Sequence, residues 1–319
     1  MSIAPAIQRP GSINPVGPLT PRPDNFPGSA LRDVPARELL AWAQPQPAQI
    51  APPRVEPSRI DGSAAAPVTP AAGAAAGAPS TRELALMAAD VYHDIPSPPP
   101  GYRVAGDADL ARIGLDPQNL SSPESAFRAR VYVRDTAQGS QFVVSFRGST
   151  DASDWKANAQ QALGLPSDQY SRALMIARAI GRHPEADVTI TGHSLGGGLA
   201  SAAALASGRQ ATTFNAAGLS DATIRQAEGI RAANGGTPEP AIAAFYVRGE
   251  VLSALQDGGD RVVGALLGGL VGGILADAPE AYGTRIGLDA VRPQGTHWYQ
   301  DNPVARHGMD WVLSSLGAN

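Results

Sequence analysis

Apolar side chains recur along this chain with two periods, one helical and one alternating. Residues 81–94 (TRELALMAADVYHD) repeat them at helical spacing behind a threonine placed to cap the first turn. Residues 130–134 and 141–146 are short β-branched and aromatic runs on either side of Ala137-Gln138-Gly139-Ser140, the pattern of a hairpin. Further on, 168–182 reads as an amphipathic helix, 187–191 (DVTIT) as a short buried strand and 195–206 as a helix of small residues. Residues 211–215 (ATTFN) read as a strand, 220–234 as a helix, 241–247 (AIAAFYV) as a strand and 309–316 as a closing helix. Strands separated by helices predict an α/β fold, a mostly parallel sheet with helices on both faces. No internal repeat is visible.

Composition divides the 319 residues near position 80. Residues 1–80 hold sixteen of the 29 prolines and an alanine/glycine tract at 71–78. Proline at that density removes backbone donors and blocks helices, and few large apolar residues remain to build a core. The expectation is a disordered leader over 1–80, acting as a secretion or translocation signal, and one folded domain over 81–319. Within the leader, residues 32–43 (RDVPARELLAWA) are the stretch able to fold as a short helix on a partner. Prolines 5, 10, 15, 18, 21 and 23 and the lack of an apolar run argue against a cleaved secretory signal. No apolar run reaches the roughly 20 residues needed to span a bilayer. The expected location is outside a bacterium, as an effector secreted or translocated by a route without such a signal, or otherwise the cytoplasm as a soluble protein. With no cysteine, disulfides and thiolate metal sites are excluded. The net charge of −4 gives no reason to expect nucleic acid as a partner. Lys156 is the only lysine, which we read as codon usage rather than function.

The chemistry is concentrated in Gly192-His193-Ser194-Leu195-Gly196. This fits the G-x-S-x-G elbow, in which a serine on a strained strand-to-helix turn needs small residues two positions either side. A predicted strand stands immediately before it and a predicted helix immediately after. Ser194 is the expected nucleophile.

At these residues the chain resembles the class 3 (fungal-type) triacylglycerol lipases and their bacterial phospholipase-like relatives. The segments ELALMAADVY, SAFRARVYV, VVSFRGSTDASDW, ITGHSLGGGLASAAA and TTFNAAGL stand in that family's order, over roughly 81–319. The resemblance implies an α/β-hydrolase fold and hydrolysis of lipid esters. One oxyanion-hole donor is the backbone N–H of the residue after the nucleophile, Leu195. The family takes the second from the residue after Arg-Gly in FRG[ST], which here is Ser149.

Chain order in this fold runs nucleophile, acid, base. Beyond the strand at 241–247, Arg248-Gly249-Glu250 offers Glu250 as the acid where the family usually carries aspartate, with Asp257 as the alternate. His93 and His183 precede the nucleophile, and His193 is the variable residue of the elbow. The family's base lies just ahead of a terminal helix, which favours His307 and leaves His297 as the alternate.

In the family the segment after the oxyanion residue forms a lid, here 150–165, with Trp155 expected to pack inward. Residues 262–276 (VVGALLGGLVGGILA) carry glycines every fourth position at 264, 268 and 272. They read either as a helix packed tightly on the sheet or as a flap that opens onto a membrane surface. The reading is a serine carboxylic ester hydrolase of glycerolipids, expected to be phospholipids, working without metal or cofactor through a Ser-His-acid triad and an acyl-enzyme. Its rivals are a small-acyl esterase or thioesterase and a non-catalytic lipid-binding protein of the same fold.

Overall fold

The computed structural model describes residues 77–149, 167–252 and 280–318. Most of the leader, the expected lid with Trp155, the alternate acid Asp257 and the glycine-striped segment 262–276 lie outside the described residues.

Helix α1 (Thr81–Asp90) starts from a capping box in which the Ser80 hydroxyl accepts the Glu83 N–H and the Glu83 carboxylate accepts the Ser80 N–H. The cap is thus Ser80, one residue ahead of the expected threonine, and the helix stops four residues short of 94. Arg130 secures this end. Its Nη1 donates to the Asp90 carbonyl and its Nη2 to the His93 carbonyl, satisfying groups that a helix end leaves open.

Next come β1 (Arg103–Val104), α2 (Asp107–Arg112), a 3-10 turn (Pro117–Leu120) and β2 (Ser121–Ser122). Strands β3 (Phe127–Thr136) and β4 (Gly139–Phe146) form the expected hairpin, closing on a Thr136–Gly139 pair. There follow α3 (Asp168–Gly181), β5 (Asp187–His193), α4 (Leu195–Ser207), β6 (Ala211–Phe214), α5 (Asp221–Ala233) and β7 (Ile242–Val247). The chain ends with β8 (Thr284–Leu288), a 3-10 turn (Trp298–Gln300), α6 (Pro303–Arg306) and α7 (Met309–Ala318).

Among the described residues the sheet has eight strands in the order β1-β3-β4-β5-β6-β7-β8, with β2 paired to β3. Pairing is antiparallel from β1 to β4 and parallel from β4 to β8. Side chains alternate between two cores. Phe142, Val144 and Phe146 of β4 join Leu174, Ile180, Leu199, Leu205 and Ile230 from α3, α4 and α5 on one face. Val143 joins Tyr132, Phe214 and Val247 with Leu84 and Met87 of α1 and Trp311 and Val312 of α7 on the other. Each such large side chain contributes about 1.5–3 kcal/mol by leaving water. Helix α4 is buried along its whole length, which explains why it is built of glycine, alanine, serine and leucine. The parallel strands deliver their C-terminal ends to one edge, where β4 gives way to Gly148, β5 to Ser194, β6 to Asn215 and β7 to Glu250. Ligands of open α/β sheets gather at that edge.

Candidate active site

Ser194 sits at the junction of β5 and α4 with φ 59° and ψ −128°, a conformation that L-residues avoid. Such a residue costs about 1–3 kcal/mol and persists only where its surroundings hold it. Here its N–H donates to the Phe214 carbonyl at 3.1 Å, while its carbonyl accepts from the N–H groups of Gly197, Gly198 and Ala217. The flanking glycines have a packing reason. A Cβ on Gly192 would overlap the Gly196 carbonyl, and one on Gly196 would overlap the Phe146 carbonyl.

The sequence-predicted serine, acid and first-choice histidine lie in one hydrogen-bonded line. His307 Nε2 is 2.9 Å from Ser194 Oγ, and His307 Nδ1 is 2.7 Å from Glu250 Oε2. Glu250 is fully buried, and the same oxygen accepts the Leu252 N–H at 2.9 Å. With the carboxylate on Nδ1, the imidazole carries its proton there and turns a lone pair on Nε2 toward the serine. The alternate base does not enter this line. His297 is exposed and stacks on Tyr299, with ring centroids 5.2 Å apart. His93 is exposed, and His183 is held by Glu185 at 3.2 Å.

The FRGS loop lies directly against the elbow. A Cβ on Gly148 would come within 3.3 Å of Ser194 Cβ and would overlap the Tyr92 hydroxyl, so only glycine fits. Ser149 follows it, and Leu195 opens α4, whose first N–H groups have no partner within the helix.

Three residues of this region carried no signal that we read in the sequence. His193, passed over as the variable position of the motif, is 7% exposed. Its Nε2 donates to the His307 carbonyl at 2.8 Å, because a carbonyl only accepts, and its Nδ1 accepts from the Tyr92 hydroxyl at 2.9 Å. Burial drives this imidazole down to about 3, and the neighbouring His307 acts in the same direction. Tyr92 in turn accepts the Gly148 N–H at 3.1 Å, and burial pushes its phenol above the usual range. Asn215, expected as the last residue of a strand, has left it. At φ 43° its Nδ2 donates to the His307 carbonyl at 2.8 Å and its Oδ1 accepts the Val247 N–H at 2.9 Å. Asparagine tolerates that backbone better than most residues. No local pattern in the sequence marks any of the three.

Among the described residues no group of three or more His, Cys, Asp or Glu is placed to hold a metal ion. A broad cleft lined by Arg112, Arg134, Asp187 and Arg209 lies at the opposite ends of the parallel strands and borders none of these residues.

Residues 83–294 match the family described as phospholipase-like, Tle-like phospholipase domain. Over 262 residues the chain is 34% identical to the extracellular phospholipase A1 of Serratia liquefaciens, which covers 80% of this chain and 77% of that protein. Among solved structures it is similar to the Lip2 lipase of Yarrowia lipolytica, at 13% identity and a TM-score of 0.34, over 66% of this chain and 78% of that one.

Proposed function

This chain belongs to the Tle-like phospholipase family, and on that premise we propose that it cleaves an acyl ester of membrane glycerophospholipids by a serine mechanism. It is an ester hydrolase of the lipase and phospholipase type. The reading beyond that assigns Ser194 as nucleophile, His307 as general base and acid, and Glu250 as the group that orients and charge-balances the imidazole. The observation that supports it most directly is the run Glu250–His307–Ser194, with 2.7 and 2.9 Å between successive partners.

In this mechanism His307 Nε2 takes the Ser194 proton as Oγ attacks the ester carbonyl. The resulting oxyanion is held by the backbone N–H groups of Leu195 and Ser149, which act where charge develops. Collapse expels the lysophospholipid alkoxide, which receives the proton from His307. Water then enters under the same base and releases the fatty acid from the acyl-enzyme. The strained backbone of Ser194 serves this course, since it thrusts Oγ out of the turn toward the histidine.

The Serratia relative is named an extracellular phospholipase A1. Carried to this chain, the name supports cleavage at the sn-1 position and action outside the producing cell. We further propose that residues 1–80 serve delivery and 81–319 catalysis. Mass spectrometry of products from mixed phospholipid vesicles, with wild type beside Ser194→Ala, tests the proposal. Lysophospholipid lacking its sn-1 chain is expected from wild type alone. Vesicles left intact by the wild type, or equal turnover by the alanine variant, would overturn it.

A further inference from the structure

Two segments that the mechanism needs close together come from distant parts of the chain. One is the oxyanion loop after β4, and the other is the turn after α6 that carries His307. A continuous hydrogen-bond path joins them behind Ser194. The Gly148 N–H donates to the Tyr92 hydroxyl at 3.1 Å, and that hydroxyl donates to His193 Nδ1 at 2.9 Å. His193 Nε2–H then donates to the His307 carbonyl at 2.8 Å. The rings reinforce the path, with centroids 5.8 Å apart for Tyr92 and His193 and 5.0 Å apart for His193 and His307.

The His307 carbonyl accepts a second donor, Asn215 Nδ2, at 2.8 Å. Asn215 also holds the Val247 N–H, and Val247 accepts the Glu250 N–H at 3.0 Å. One carbonyl is therefore tied on one side to the oxyanion loop and on the other to the strand end that carries the acid. None of these contacts touches Ser194 Oγ, so they place the reacting groups without joining the chemistry. The placement matters because His307 caps a helix of only four residues, too short to fix an imidazole unaided.

Resting on the ester-hydrolase reading above, we propose that Tyr92 and His193 are positioning residues, one strut that sets the oxyanion loop and the catalytic base at a fixed separation. Loss of a link lets the loop and the base drift apart by fractions of an ångström. Catalysis suffers from such drift while ground-state binding of a small substrate does not.

The test uses the full chain, a short soluble ester and active sites counted by fluorophosphonate titration. The variants are Tyr92→Phe, His193→Gln, His193→Leu and the double variant Tyr92→Phe/His193→Leu. Tyr92→Phe is expected to lower kcat per titrated site by about ten- to a hundredfold with KM nearly unchanged, the scale of a small misplacement. His193→Gln, which keeps an N–H for the His307 carbonyl, is expected to retain more activity than His193→Leu. The double variant should be no worse than the poorer single one, because both substitutions cut the same path. A lower melting temperature with kcat per site unchanged in Tyr92→Phe overturns the strut and leaves a purely structural role. Additive losses in the double variant overturn it too. Tyr92→Phe keeps the ring and decides the matter alone if His193→Leu does not fold. A wild type without ester turnover overturns the ester-hydrolase reading instead, which separates the two failures.

Discussion

A serine hydroxyl is a weak nucleophile near neutral pH, and in the proposed mechanism the activation of Ser194 rests on single hydrogen bonds. Ser194→Ala is expected to abolish ester turnover while leaving the melting temperature near that of wild type, because Oγ carries none of the bonds that hold the elbow. His307→Ala should lower kcat on the order of 10³-fold or more, the scale of losing a triad member. His297→Ala should change it little, since that ring stands in solvent against Tyr299; steady-state kinetics on a soluble ester ranks the two, and the opposite order would mean a different base. His193 makes a separate prediction about pH. Unfolded, it titrates near 6.5; folded, it is held down to about 3, with Tyr92, His307 and Glu250 as the titratable groups facing it. Its contribution to stability is thus present above about 6.5 and shrinks as pH falls toward 3, because only the unfolded chain takes the proton. Melting curves between pH 7.5 and 4.5 should show wild type losing more stability than His193→Gln, and parallel curves would refute this. That Ser194, Glu250 and His307 would come together was legible because each occupies a place that chain order and a local motif define. Tyr92, His193 and Asn215 were not, because their partners lie 101, 114 and 92 residues away in the chain and leave no local pattern.

At the scale of elements, the periodic signals were strong where an element is long and one-sided. Helices α3 and α5 and strands β5, β6 and β7 appear within one or two residues of where the pattern put them. Strand β8 was missed because TRIGL is five residues long, mixes arginine and glycine with two aliphatics, and lies half-exposed at the sheet edge. The two-residue strands β1 and β2 are pairing events on β3 with no period to read. The early end of α1 is secured by Arg130, forty residues on, a contact equally invisible in the local sequence. That junction also carries a buried ion pair. Asp90, 4% exposed, accepts Arg130 Nη1 at 2.8 Å and the Tyr132 hydroxyl at 2.6 Å. Asp90→Ala would leave the mostly buried Arg130 without its counter-charge, a loss of about 3–5 kcal/mol in comparable pairs. Urea denaturation should show a lower midpoint with an unchanged slope; a midpoint within error of wild type would mean that Arg130 finds another partner.

For the molecule as a whole, the question is how much of the chain the hydrolase needs. Gly77, the first of the described residues, is already held by the fold, its carbonyl accepting Arg134 Nη2 at 2.6 Å. The next anchors are Ser80, which caps α1, and Leu84, buried in the core that α1 shares with α7. Everything before Gly77 is rich in proline and poor in large apolar side chains, so its sequence offers little to bury. Deleting residues 1–76 should therefore leave both the capping box and the α1–α7 core intact. Its expected cost is under ~1 kcal/mol, a melting shift of no more than roughly 2–4 °C at this domain size. Turnover of a soluble ester should be retained in the same variant. Deleting residues 1–85 removes the cap and Leu84 together and should abolish cooperative melting or lower it far more. Calorimetry of the two truncations beside the full chain decides the point. If the shorter deletion already costs the stability expected only of the longer one, residues 1–76 are part of the folded hydrolase and the division at residue 80 is wrong.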